Sequence, residues 1–155
     1  IWKNSDGNGG NGIRYCTYSD YYISETDITI KQYGLDTGKS LLYFDWYDTT
    51  EYYFNQEYKL NDTDEIICLE ENIVDENGAL IYLYLTDYHT DIDFIKIDTD
   101  NCTNILSINS IDVKWRITSE TGYACFSYDK HNYYLKIEGV EDKEYIENLV
   151  STLLS

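Results

Sequence analysis

Asp87, His89, Asp91 and Asp93 alternate along the chain. On an extended strand they would project from one face, and carboxylates with an imidazole are a donor set for a divalent cation. The plainer explanation is a solvated strand end in a chain with 29 acidic residues. No second histidine lies nearby in sequence to complete a shell.

Tyrosines are the second candidate, and the chain has 18 of them. Tyr43 and Tyr47 alternate with Leu42, Phe44 and Trp46, and Tyr82 and Tyr84 alternate with Ile81, Leu83 and Leu85. If the aliphatic row of each strand is covered, these four tyrosines, joined by Tyr52, Tyr53 and Tyr134, form an aromatic face. Such a face could dock a protein, a peptide or a glycan. Cross-strand tyrosine pairing that only stabilises the sheet explains the same pattern.

Four cysteines, Cys16, Cys68, Cys102 and Cys125, contain no CxxC pair, which argues against a zinc ribbon. They are either separate buried thiols or disulfide partners, depending on the compartment. Cys102 and Cys125 are the favoured pair, because one follows a turn and the other lies in the middle of a nearby strand. Catalysis finds no constellation. His89 and His131 are the only histidines, no GxSxG surrounds a serine, and paired carboxylates mean nothing in so acidic a chain. The expectation is a non-enzymatic protein without a cofactor.

A net charge of −18 disfavours contact with nucleic acid or anionic lipid. Hydrophobic content of 43% and 16% aromatics argue for a folded chain rather than a disordered one. No apolar run is long enough to span a bilayer, so membrane insertion by this chain is not expected. Residues 1–12 read as a flexible linker because of the Asp6-Gly-Asn-Gly-Gly-Asn-Gly12 run. A calcium loop starting there would need a carboxylate where Thr17 stands. The chain starts at Ile1 rather than Met, and the linker leads us to expect a preceding domain or anchor.

Residues 13–155 read as one mainly-β domain. Ile28 with Ile30, Leu42 with Phe44 and Trp46, Ile67 with Leu69, and Ile81 with Leu83 and Leu85 mark short strands. Turns are expected at Asp36–Lys39, Asp75–Gly78 and Asp98–Asn101. About ten strands are expected, with almost no helical pattern before residue 141. Thr26-Asp-Ile28 with Leu35-Asp-Thr37 resembles Thr90-Asp-Ile92 with Ile97-Asp-Thr99, and reads as two similar hairpins.

The clearest stretch is the last. Ile111, Val113, Trp115 and Ile117 form one inward row, Ala124, Phe126 and Tyr128 a second, and Tyr133, Leu135 and Ile137 a third. Ser119–Gly122 is a turn. Tyr145, Ile146, Leu149, Val150, Leu153 and Leu154 then make one stripe on a helix over 141–154, with Asp142 as N-cap and Glu144 in its first turn.

Gly122, Phe126, Asp129, Tyr133, Leu135, Gly139, Asp142, Glu144, Ile146 and Leu149 give this stretch a family resemblance. It resembles the C-terminal extracytoplasmic domain of Gram-positive anti-sigma factors and surface lipoproteins. The resemblance implies an antiparallel, curved sheet with helix cover, similar to lipoprotein-carrier half-barrels, and carries no catalytic residues. The fold expected is therefore α+β: a large antiparallel sheet, flat or curved like a half-barrel, with one C-terminal amphipathic helix packed on it. A β-propeller fragment is the alternative. The function expected is an extracellular or cell-surface binding or sensing module, tethered N-terminally. The rival is a cytosolic acidic inhibitor or immunity protein with a basic partner.

Overall fold

The computed structural model describes residues 12–45 and 51–155, with the backbone alone for 51–54. The elements in chain order are β1 (Arg14–Cys16), β2 (Tyr21–Thr26), α1 (Ile30–Thr37), β3 (Glu51–Leu60), β4 (Ile66–Val74), β5 (Leu80–Asp87), β6 (Thr90–Ile92), α2 (Asp93–Asp100), β7 (Asn104–Ile108), β8 (Ile111–Thr118), β9 (Thr121–Tyr128), β10 (His131–Glu138) and α3 (Lys143–Leu154). Eight strands form one open antiparallel sheet in the order β2-β3-β4-β5-β10-β9-β8-β7, and β1 pairs with β6 in a separate parallel ribbon. A single open sheet with a terminal helix is the expected α+β arrangement and not a propeller blade.

The periodic C-terminal stretch folds as its pattern predicts except at the end of its second row, where Tyr128 is exposed rather than inward. Strands β7 to β10 are joined by two-residue turns at Asn109-Ser110, Ser119-Glu120 and Asp129-Lys130. Both central residues of each turn have positive φ, between 48° and 68°, the left-handed pair that a type I′ hairpin needs. Asp142 caps α3 by accepting a hydrogen bond from the Tyr145 amide at 3.1 Å. Ile146, Leu149, Val150 and Leu153 bury their stripe in the same core cluster as Ile81, Leu83, Leu135 and Ile137. Covering those four helix side chains contributes roughly 6–12 kcal/mol gross, an upper bound. Gly122 lies where this layer comes closest: a Cβ there would stand 2.7 Å from Val140 Cγ1 and 3.2 Å from Ile146 Cδ1.

Several expectations for the first half of the chain are corrected. Ile30 opens α1 instead of ending a strand. Residues 39–45 are irregular, and Leu41 and Phe44 are their buried side chains, while Leu42 is only half-buried. Trp46 lies outside the described residues. Ile67 and Leu69 do not share a face. The β3–β4 register shifts between Tyr58 and Lys59, and Ile67 joins the cluster opposite Leu69. The Thr-Asp-Ile repeat marks two short helices, not two hairpins: β2 runs into α1, and β6 runs into α2. Asp36–Lys39 is the end of α1, with Gly38 in the left-handed region, and Asp98–Asn101 is the end of α2. The linker reading falls almost wholly outside the described residues.

The two short helices lie on opposite faces. Ile30 of α1 joins the α3 side, where the buried Glu71 carboxylate accepts from the Ile30 amide at 2.5 Å. A carboxylate at a helix N-terminus meets unpaired amides and the positive end of the helix dipole. On the same side the Leu42 amide donates to the Tyr133 hydroxyl at 2.9 Å, tying the irregular segment to β10. Phe94 and Ile95 of α2, with Cys16 of β1 and Ile92 of β6, cover the other face. The sheet therefore has a layer on each side.

Candidate functional site

The second layer changes the meaning of the tyrosines. Tyr84 is not on an open face: it is 7% exposed, lies edge-on to Phe94 of α2 at 5.5 Å between ring centroids, and stacks on Tyr134 at 5.1 Å. Tyr82 is half-buried beside it, stacked on Tyr84 at 6.5 Å, with Lys136 Nζ 5.6 Å from its ring centroid. Tyr43 is on the α3 side of the sheet, packed against that core, with Lys31 Nζ 5.7 Å from its ring centroid. Tyr47 lies outside the described residues, as do the side chains of Tyr52 and Tyr53. The expected single aromatic face is divided between the two sides, and its most central member is buried.

Several of the chain's phenols, Tyr134 among them, hold carboxylates. Tyr58 donates to Glu70 at 2.5 Å, Tyr134 to Asp98 at 2.5 Å, and Tyr21 to Asp93 at 2.9 Å. Tyr22 donates to Asp64 at 2.7 Å, and Tyr145 donates to Asp75. With 11 Lys and Arg against 29 acids, phenol hydroxyls supply donors that cations are too few to supply. Burial first, then the neighbouring carboxylate, pushes the Tyr58 phenol above its usual range, so it stays a donor. Asp93 and Asp98 both belong to α2, so Tyr21 and Tyr134 fasten that helix to the sheet. Asp93 also accepts from the Tyr18 amide at 2.9 Å, which fixes the turn after β1.

Between α2 and strands β8, β9 and β10 this leaves a cleft of about 490 Å³. Tyr84, Tyr134, Cys125 and Ser127 line its sheet side, and Ile92, Ile95 and Thr99 line the helix side. Asp112 and Lys114 of β8, Asp91 of β6 and Lys96 of α2 add charges of both signs to its lining. Lys96 is paired with Asp100 at 3.3 Å. Burial raises the Asp91 carboxyl above its ordinary value, with Lys96 opposing that shift. Volume, phenolic and apolar walls, and a rim of both charges are the properties of a small-ligand site.

The four residues of the metal reading are distributed over different elements. Asp87 ends β5, His89 lies in the following turn, Asp91 is in β6 and Asp93 starts α2. Asp93 is committed to Tyr18, Tyr21 and Phe94, and Asp87 accepts from the His89 amide. A second histidine does arrive in space, since His131 is the cross-strand partner of Asp87. Both histidines line a separate cleft of about 720 Å³. Its guanidinium, Arg14, is already engaged by Glu65 at 3.1 and 3.0 Å. Among the described residues no three His, Cys, Asp or Glu side chains converge to hold a metal ion.

The four cysteines are free thiols. Cys102 and Cys125, the favoured pair, are not joined by a disulfide, and Cys16, Cys68 and Cys125 belong to the cluster on the α2 face. Asp98, Lys114 and α2 itself escape sequence reasoning as site elements. The signal that points to α2 is the Thr-Asp-Ile repeat, whose second copy leads directly into it. The chain matches no family model, no curated protein and no solved structure.

Proposed function

We propose that this chain is a non-catalytic binding module that takes a small ligand, or a short stretch of peptide or glycan, in the cleft between α2 and strands β8–β10. The observation that carries the reading is that cleft. It is roomy, it joins a phenolic floor to a rim carrying both charges, and its helical wall is hung on the sheet by tyrosine–carboxylate bonds. A ring could stack or pack on the tyrosine floor while the rim engages its polar groups. We place the module outside the cytoplasm of a bacterial cell, as part of a surface lipoprotein or an anchored regulator. The resemblance of residues 111–154 supports that placement. The charge of −18 favours one rival, a cytosolic acidic protein that docks on a basic partner.

Amide shift mapping of the labelled protein with monosaccharides, free amino acids and short neutral or basic peptides tests the site. Saturable shifts at Ile92, Ile95, Thr99, Lys114 and Ser127 are expected from at least one probe. Shifts confined to His89 and His131, or spread over the acidic surface only with basic peptides, would overturn the cleft reading.

A further inference from the structure

We propose that β2 is a docking edge that takes an extended, lysine- or arginine-bearing segment of a partner protein as an added strand. No residue of β2 lines the cleft beside α2, so the proposal stands whether or not that cleft takes a ligand. β2 is the first strand of the open sheet, and among the described residues only β3 pairs with it. The Asn61 amide donates to Asp20 O at 2.9 Å, directly beyond the Tyr21–Leu60 pair. Bonded and non-bonded pairs alternate along an antiparallel ladder. Tyr22, Ser24 and Thr26 therefore bond to β3, while Tyr21, Ile23 and Glu25 aim N–H and C=O away from it. Proteins commonly blunt such an edge with lysine, proline or a bulge, and Tyr21–Thr26 has none of these.

Side chains around the edge define the occupant. Among the described residues ten large hydrophobic side chains are exposed, and five of them cluster at Ile13, Tyr15, Tyr18, Tyr22 and Ile23. Tyr22 and Ile23 are 38% and 47% exposed and alternate, so each face of the edge offers an added strand an apolar contact. A groove of about 620 Å³, lined by Tyr15, Asp20, Leu60 and Asp62, adjoins the Tyr21 end of the strand. The cations of β1 and β3 are already paired, Arg14 with Glu65 at 3.0 Å and Lys59 with Glu57 at 3.2 Å. Asp20, Glu25, Asp62 and Asp64 have no cation partner among the described residues, which leaves them for the cations of a partner. The main chain thus asks for an extended backbone, and the charge selects a basic one. A second copy of a chain with net charge −18 is disfavoured on the same ground. The opposite edge, β7, differs in charge, since Lys114 of β8 is the cross-strand partner of its exposed Ile105.

The test titrates the labelled protein with a short acetylated, amidated peptide of alternating lysine and valine. Shifts and slowed hydrogen exchange are expected at the Tyr21, Ile23 and Glu25 amides, and none at Ile105. A copy N-methylated at every residue keeps the charge but loses its backbone donors, and should not bind; nor should the glutamate–valine counterpart. Ile23→Pro removes an outward donor that makes no bond to β3, and should weaken binding about tenfold or more. Ile105→Ser on the other edge should keep the parental affinity. Equal binding of the methylated copy or of the acidic peptide, shifts concentrated at β7 or in the cleft, or self-association through β2 without peptide would overturn the proposal. Exchange in the unaltered protein and the methylated copy decide even if Ile23→Pro fails to fold. The neutral probes of the cleft bear on the cleft reading alone, so the two can fail separately.

Discussion

Removing one oxygen atom from Tyr58 tests whether phenols replace cations as partners of this chain's acids. Tyr58 is 4% exposed and donates to Glu70 at 2.5 Å, and Glu70 is itself 4% exposed. In Tyr58→Phe the ring and its packing on Phe94 persist, but among the described residues Glu70 keeps only Asn72 Nδ2, at 2.9 Å, as a side-chain donor. A hydrogen bond to a charged group is worth about 1.5–3 kcal/mol, and a buried acceptor left short of donors puts the loss at the upper end. Tyr134→Phe removes an equally short bond, but its acceptor Asp98 is only half-buried, so water can substitute and about 1 kcal/mol is expected. Tyr22→Phe removes the same chemistry at the surface and should cost least of the three. Urea unfolding at neutral pH, followed by circular dichroism, reads the order directly if m is unchanged. The sign of the pH dependence follows from the raised Tyr58 pKa. An unfolded tyrosine ionises near pH ~10 while the folded one stays protonated, so its contribution is complete below about pH 10 and is lost above it. The stability gap between the parent and Tyr58→Phe should therefore narrow in alkali. Equal losses in all three variants, or a Tyr58→Phe protein as stable as its parent, would refute the reasoning.

Gly122→Val should cost about 1–3 kcal/mol in thermal or urea unfolding, because its Cβ would meet Val140 and Ile146 under α3; an unchanged midpoint would mean that α3 docks elsewhere. Glu120→Gly should stabilise by about 0.5–1 kcal/mol, since Glu120 holds φ at 65° in a turn suited to glycine. Asp91→Asn should stabilise at neutral pH. The folded Asp91 pKa is raised by burial, so its contribution is full below about pH 4 and is lost as pH rises through the folded value. The variant's advantage should vanish near pH ~3, about one unit below the ordinary aspartate value, and a constant advantage would point to another cause.

Residues 111–154 were legible because alternation, two-residue turns and a helical stripe all gave the same answer there. The three hairpins and α3 need only neighbours in sequence, apart from the β5–β10 pairing that joins them to the rest. The misreadings of the first half have a common cause. Helices α1 and α2 each span eight residues, too short for a readable stripe, and α2 has no fully buried residue. Their Asp-Thr endings look like hairpin turns. Tyr84 reads as outward because it alternates with aliphatic residues. That inference is sound for one face but silent on whether the opposite face has its own cover. The cover here is non-local: Arg14–Cys16 pairs with Thr90–Ile92, far away in sequence, and nothing in local periodicity reports it. The cleft inherits that difficulty, since its two walls come from α2 and from strands that follow it.

The most direct test of the binding reading is to fill the cleft and leave the sheet intact. Lys114 and Thr118 are both exposed, lie on β8 and alternate onto the same face, but only Lys114 lines the cleft. Affinity for the best probe from shift mapping would be measured by calorimetry for the parent, Lys114→Trp and Thr118→Trp, after matched melting curves show all three folded. The expected result is a loss of about tenfold or more in Lys114→Trp, equivalent to about 1.4 kcal/mol, and parental affinity in Thr118→Trp. Parental affinity in both variants, or an equal loss in both, would contradict binding between α2 and the sheet.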